Sequence, residues 1–404
     1  MAAYTVCFCG TGCSRDEGVK SRSWSQAGLS GSSPAAIYDS QAGYIPVRIH
    51  QDISGDLKAK NPSVTVRGVG ENDWAEQSNA SDPLNLTGPL KLEGDLADLA
   101  GSYTNGKDCR SMAAQATGWQ AVLLALHGAN LAAASGADEY NFIGHSRGAV
   151  EAIMAAWFLA AYGPPRMVKV NLFAIDPVPG TGEWYGILTT LPPNVHNYVG
   201  IYAWDHVDSR FDALVPRPPA QGTVVSKKSW KTLNVGLTSP IDPLEMSDRA
   251  RPQLAPDNYK LYACRGKHGT VAGNITSDGQ YSPTNTSENV ATVPRLVYRI
   301  ARAYLAEWGT RFAVGSRVTE SARQLRKRIH TDHMEFDAMG GGASRTSRLP
   351  GPRSMRKVSS SGGLNGTPLT GQYLEDVGGD PPYTLIYPCT TGRTGAGLVK
   401  WTFL

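Results

Sequence analysis

The sequence predicts an α/β fold with a mostly parallel sheet and helices on both faces. Three observations lead there. Apolar runs rich in β-forming residues occur at Tyr4–Cys9, Tyr140–Ile143, Val168–Ile175, Tyr198–Trp204 and Tyr259–Cys264. None alternates cleanly, which suits strands buried on both faces of a parallel sheet. Helical periodicities stand between some of them, giving the strand–helix–strand order of a doubly wound domain.

Taken in order, Tyr4–Cys9 reads as the first core strand. Residues 14–108 are rich in Ser, Gly and Asn, with weaker strand patterns at Tyr44–Ile49 and Val64–Val69, and read as a long insertion. From Cys109 to Ala134, apolar residues recur every three or four positions (Met112, Trp119, Val122, Leu123, Leu126, Leu131), which predicts one helix. A second helix is expected over Arg147 to Tyr162, stopped by Gly163-Pro164-Pro165. Pro-rich excursions follow at 178–195 and 207–256; Trp184, Tyr185, Ile187 and Leu188 in the first are candidates for an apolar lid or acyl-chain wall. Val293 to Glu307 is amphipathic, and Val318 to His330 is a basic helix. From Ala338 to Tyr373 the chain turns Gly-, Ser- and Pro-rich with five basic residues and reads as a solvated basic loop. Tyr383–Tyr387 and Leu398–Phe403 look like a closing strand pair. The expected organisation is a catalytic domain over 1–310, with insertions near 14–108, 178–195 and 207–256, and a C-terminal extension over 311–404.

Composition narrows the function classes. With 404 residues, 39 Lys and Arg against 35 Asp and Glu leave a charge of +4, too little for a nucleic-acid footprint. A hydrophobic share of 41% supplies a core and excludes wholesale disorder. The 44 glycines and 26 prolines exceed the roughly 12% combined share of average domains and indicate long loops. No window approaches a spanning helix, and Met1 to Phe8 runs straight into the first strand without a basic, then apolar, leader. A soluble protein without a signal peptide is therefore expected. Six cysteines make no disulfide scaffold. Cys7, Cys9 and Cys13 match no standard zinc spacing and read as buried thiols, so neither a metal nor another cofactor is expected.

The sharpest motif is Gly144-His145-Ser146-Arg147-Gly148, after a strand pattern and before a helical one. That is the context of a G-x-S-x-G nucleophile elbow, in which a serine sits on a tight strand-to-helix turn. The following helix N-terminus favours developing negative charge. Ser146 needs a base and an orienting acid from later in the chain. His268, on a glycine-flanked loop just past Tyr259–Cys264, is the best-placed histidine, with His206 in reserve. The acid is Asp176, at the end of Val168–Ile175, or Asp205 or Asp208, at the end of the next strand. The oxyanion hole is expected from the Arg147 amide together with Gly10 or Thr11, on the glycine loop after the first strand. No G-K-[ST] follows that loop, so it is no phosphate cradle.

Together these residues make the chain look α/β-hydrolase-like and resemble the type VI secretion lipase effectors, with their G-F-S-R-G elbow. Phe8-Cys9-Gly10-Thr11 resembles that family's F-D-G-T. Phe142 to Ala149 resembles the elbow, Ala174-Ile175-Asp176-Pro177-Val178 its W-D-T-V, and Gly266 to Gly273 its G-x-H-x-D-V-G-G. The four segments keep their order between residue 5 and about residue 275. Cys9 replaces an aspartate, His145 a phenylalanine and Thr270 an aspartate, and 310–404 matches nothing in the pattern. The resemblance implies a lipase or phospholipase cleaving acyl esters through Ser146, Asp176 and His268. It also implies an antibacterial toxin made in the cytoplasm and injected into a target cell's periplasm, with the secretion apparatus, an immunity protein and a membrane surface as partners. A non-lipolytic esterase or thioesterase, or an inactive scaffold, are the alternatives.

Overall fold

The computed structural model describes residues 3–19, 36–104, 109–164, 168–180, 186–188, 191–203, 211, 213–216, 227, 229–232, 258–275, 288–332, 357–359, 367–368, 383–386 and 400–404. An eight-stranded sheet is built from β1 (Tyr4–Phe8), β2 (Ser63–Val66), β3 (Glu139–His145), β4 (Lys169–Ile175), β5 (Val195–Ala203), β7 (Tyr259–Cys264), β10 (Tyr383–Ile386) and β11 (Lys400–Phe403). Its order is β2-β1-β3-β4-β5-β7-β11-β10, parallel throughout except for the β10–β11 pair. Short strands β6 (Ala213–Leu214), β8 (Lys357–Ser359) and β9 (Thr367–Pro368) form a second sheet. The mostly parallel α/β architecture is thus present. The first five apolar runs each become a sheet strand.

The helices are α1 (Ile45–Ser54), α2 (Gly94–Ser102), α3 (Met112–Thr117), α4 (Ala121–Ala134), α5 (Arg147–Tyr162), α6 (Thr292–Glu307) and α7 (Ala322–Thr331). Strand alternation in β1 divides them between the two faces. A Cβ on Gly128 of α4 would meet Phe8 and Val6, so those side chains face α4. Thr5, pointing the other way, meets Thr310 just past α6 with their hydroxyls 3.0 Å apart. α4 and α5 are apolar all round; in α5 every residue except Ala160 is buried, as expected of a helix covered on all sides.

Several expectations change. Tyr44–Ile49 is not a strand: Pro46 sits in the first turn of α1, Ile45, Ile49 and Ile53 recur at four-residue spacing, and Gly55 ends the helix at φ 74°. The helix expected over Cys109–Ala134 is two. Gly118, at φ 75°, caps α3, whose N-terminus is capped by the Ser111 side chain. Residues 14–108 are more than an insertion, because they supply edge strand β2 and helix α1. Ile187 and Leu188 are buried in the core, and Trp184 and Tyr185 lie outside the described residues. Past residue 310, β11 pairs with β7 and the Val314 amide donates to the Asp52 carbonyl, so the extension is joined to the rest of the fold. Most of the basic 338–373 stretch lies outside the described residues. Among those described, no helix is long and apolar enough to cross a membrane.

Between β1 and β3 the strand order reverses: the chain runs from β1 outward to β2, then returns to β3 and proceeds the other way. In open α/β sheets, loops at the carboxyl ends diverge at such a point and leave a crevice.

Candidate active site

The crevice holds a cavity of about 790 Å³ lined by Thr11, Ser146, Arg147, Tyr44, His145 and His268, among others. That volume is ordinary for a small-molecule site. Ser146 ends the β3 turn at φ 57°, ψ −128°, a backbone conformation costly for any residue with a Cβ. Its amide donates to the Ile175 carbonyl, and its carbonyl accepts from Ala149 and Val150 in the first turn of α5. The flanking glycines allow so sharp a bend. A Cβ on Gly144 would lie 2.4 Å from the Gly148 carbonyl oxygen, and one on Gly148 2.5 Å from the carbonyl oxygens of Phe8 and Cys9.

Asp176 follows β4 at φ 43° and is fully buried. One carboxylate oxygen accepts the Ala203 amide at 3.0 Å; the other meets Nδ1 of His268 at 2.6 Å. The acid is therefore held from the adjacent strand end and aligns the histidine ring through its Nδ1 edge. His268 stands on the loop after β7, which a short 3-10 helix, Thr270–Ala272, follows. The Asn274 amide returns to the Gly269 carbonyl, and the Asp39 and Ile275 amides join this loop to residues 37–39. The His268 ring is flanked by the His145 and Phe211 rings, at centroid distances of 4.6 and 4.9 Å. Burial falls from the acid outward: Asp176 is 0% exposed, His268 5% and Ser146 7%. Only the two outer groups line the cavity.

The structure thus brings Ser146, His268 and Asp176 to one crevice. Asp205, Asp208 and His206 lie outside the described residues. The Arg147 side chain has a role the sequence does not reveal. It donates to the Thr11 hydroxyl at 2.9 Å, to the carbonyls of Gln115 and Ala116, and to the Pro179 carbonyl at 3.1 Å, tying three walls of the cavity together. One expectation fails: the Gly10 amide donates to the Tyr44 hydroxyl at 2.7 Å, so it does not serve an oxyanion. Gly12 and Cys13 amides are also engaged, by the Val69 and Gly10 carbonyls. Among the described residues this leaves the Thr11 amide as the loop's candidate donor, beside that of Arg147.

Tyr38, Tyr44 and Phe211 line the cavity but were not singled out by the sequence. The signal for Tyr44 was its place just before the Ile45-Pro46 helix start. Burial, then Cys13 and Cys9 nearby, pushes the Tyr44 phenol well above its ordinary range, so it stays neutral. Met112, 86% exposed, stands at the mouth, and Trp119, 45% exposed, follows α3; no other large hydrophobic residue among those described is exposed. Cys7 and Cys9 are buried, with burial raising both thiols.

No family model matches the chain, and no curated protein matches it. Among solved structures it is similar to a crystal structure of an uncharacterized protein from Pseudomonas aeruginosa, at 14% identity and a TM-score of 0.37. The match covers 87% of this chain and 52% of that one, so the chain spans about half of that protein's length.

Proposed function

We propose that the protein is an α/β-hydrolase-like serine hydrolase of carboxylic esters. The observation that carries this reading is the 2.6 Å contact from His268 Nδ1 to a buried Asp176, in the same crevice as a strained Ser146 on a strand-to-helix turn. The chain order Ser, Asp, His agrees with it. Ser146 Oγ adds to the ester carbonyl as His268 Nε2 takes its proton. Asp176 keeps the proton on Nδ1 and offsets the imidazolium charge. Amides of Arg147 and Thr11 receive the oxyanion. The alcohol leaves with the proton from His268, and water, activated by the same ring, releases the acid from the acyl-enzyme.

A lipid ester is the proposed substrate. Tyr38, Tyr44, Met112, Val178 and Phe211 give the cavity an apolar lining, Met112 lies exposed there, and Trp119 is the other exposed large apolar side chain among the described residues. The resemblance to type VI lipase effectors supports a phospholipid substrate and an antibacterial role, with delivery to a target-cell periplasm and an immunity partner. The test is hydrolysis of phospholipid vesicles beside a Ser146→Ala control, with released fatty acid and lysolipid identified. Release that disappears with Ser146 supports the reading. Cleavage of short esters alone replaces it with a non-lipolytic esterase, and absence of both, with no fluorophosphonate labelling of Ser146, leaves an inactive scaffold.

A further inference from the structure

A directed chain of hydrogen bonds runs through the cavity wall beside the triad. The Gly10 N–H donates to the Tyr44 oxygen at 2.7 Å. The Tyr44 hydroxyl meets Nδ1 of His145 at 3.1 Å, and Nε2 of His145 meets the His268 carbonyl oxygen at 3.2 Å. A carbonyl only accepts, so Nε2 carries a proton. In the neutral ring Nδ1 is then a lone pair, and Tyr44, a neutral phenol, is its donor. One proton arrangement satisfies these three links, and it ties the loop after β1 to the backbone of the base.

We infer that His145 is a positioning residue, held by Tyr44, that fixes the His268 backbone and must remain neutral while His268 takes up its proton. The inference rests on the Ser146–His268–Asp176 reading. Protonating His145 would place an N–H where Tyr44 now donates, so the phenol would have to turn its proton away. It would also set a positive ring 4.6 Å from the ring that becomes an imidazolium during turnover, and like charges so close oppose one another.

Among the described residues, the ionisable groups near the chain of bonds come from several elements. Tyr38 and Tyr44 lie on the segment entering α1, and Cys9 and Cys13 on the loop after β1. Arg147 opens α5, its guanidinium turned toward the carbonyls of Gln115, Ala116 and Pro179. Lys267 precedes the base, and Asp176 meets Nδ1 of His268 at 2.6 Å.

The experiment compares wild type, His145→Phe and His145→Gln on a soluble ester from about pH 5 to pH 8. The Phe variant should lose roughly ten- to a hundredfold in kcat with a much smaller change in KM, the scale of a slightly misplaced catalytic group. The Gln variant, whose amide can donate from the Nε2 position without titrating, should recover most of that loss. The acid limb should differ in shape between wild type and both variants, which lack the His145 imidazole. A Gln variant no better than Phe, with both at the wild-type melting temperature, overturns the inference, and so does an acid limb of one shape in all three. Imidazole 15N spectra give a readout that needs no turnover. At about pH 7.5, His145 should be the neutral Nε2–H tautomer, and Tyr44→Phe should shift its Nδ1 signal. An Nδ1–H tautomer or an imidazolium there overturns the inference even if the protein proves to be no hydrolase. Loss of Ser146-dependent turnover alone overturns only the hydrolase reading.

Discussion

Asp176→Asn separates an orienting acid from a structural carboxylate. The native carboxylate accepts from Ala203 N on one oxygen and from His268 Nδ1 on the other. Asparagine keeps only one acceptor, and the Ala203 amide will hold it. The asparagine NH₂ then faces Nδ1, and two donors cannot meet, so His268 must adopt the tautomer with its proton on Nε2. That proton occupies the nitrogen needed to receive the Ser146 proton. The expected loss in kcat is about 10³- to 10⁴-fold, or about 4–5 kcal/mol of barrier. The fold should survive, because Asn tolerates the φ of 43° as well as Asp and retains the Ala203 bond. Turnover of a p-nitrophenyl ester measures the first effect and thermal unfolding the second. A stable, fully active variant would refute the reasoning and transfer the role to Asp205 or Asp208.

Three further outcomes follow from the packing and the cavity mouth. Gly148→Ala places a Cβ 2.5 Å from the carbonyl oxygens of Phe8 and Cys9, so a backbone must shift. Chemical denaturation should show a loss of about 1–3 kcal/mol, and an unchanged midpoint would deny the close approach of α5 to β1. Burial holds His127 down to about 3 and His50 down to about 4. The unfolded chain therefore takes up protons first, near its ordinary histidine value of about 6.5; stability is complete above that pH and declines as pH falls toward 4. His127 Nδ1 accepts the Asn85 amide at 2.7 Å, so His127→Asn, which keeps an acceptor but cannot titrate, should flatten the fall in melting temperature between about pH 7 and pH 5. An equally steep fall would assign the effect elsewhere. Met112→Asp combined with Trp119→Ser should lower vesicle hydrolysis roughly tenfold or more, since burying one large apolar side chain contributes about 1.5–3 kcal/mol. Soluble-ester turnover should fall by much less, and an equal drop on both substrates would remove the membrane-facing role of the mouth.

The strands around the crevice were legible because each is a compact apolar run, and α5 because its span ends at a Gly-Pro-Pro stop. Ser146 and His268 were legible through glycine-flanked motifs at strand ends. What escaped the sequence is mostly non-local. Tyr44 and His145 are 101 positions apart, and nothing in either neighbourhood announces the other. That the Ala203 amide reaches the Asp176 carboxylate depends on how β4 and β5 pair, which no short pattern encodes. The failure at Gly10 is of the same kind: its glycine permits close approach, but the group that approaches is a tyrosine hydroxyl. Local misreadings had local causes. Ile45, Val47 and Ile49 are good strand formers, and only Pro46 and Gly55 mark the helix that contains them. In Cys109–Ala134 the apolar spacing runs on past Gly118, which masks the break.

Among the described residues, Ser146 and Asp176 alone have positive φ without being glycine, and both belong to the proposed triad. Backbone strain of this kind costs on the order of 1–3 kcal/mol and persists only where neighbours enforce it. At Ser146 they do so through the Ile175 carbonyl on one side and the first-turn amides of α5 on the other. The strain arises because β3 must turn into α5 within a single residue for that residue to present its side chain at the sheet edge. This separates two variants that both lack the proposed nucleophile. Ser146→Ala keeps a Cβ and therefore the strain; Ser146→Gly removes it, at the cost of a more flexible unfolded chain of about 0.5–1 kcal/mol. If the strain exceeds that cost, the glycine variant will be the more stable by about 1 kcal/mol in denaturant unfolding. An alanine variant equal to or more stable than the glycine one would mean that the turn at Ser146 is relaxed, and that its backbone is no sign of a nucleophile held in place against its own preference.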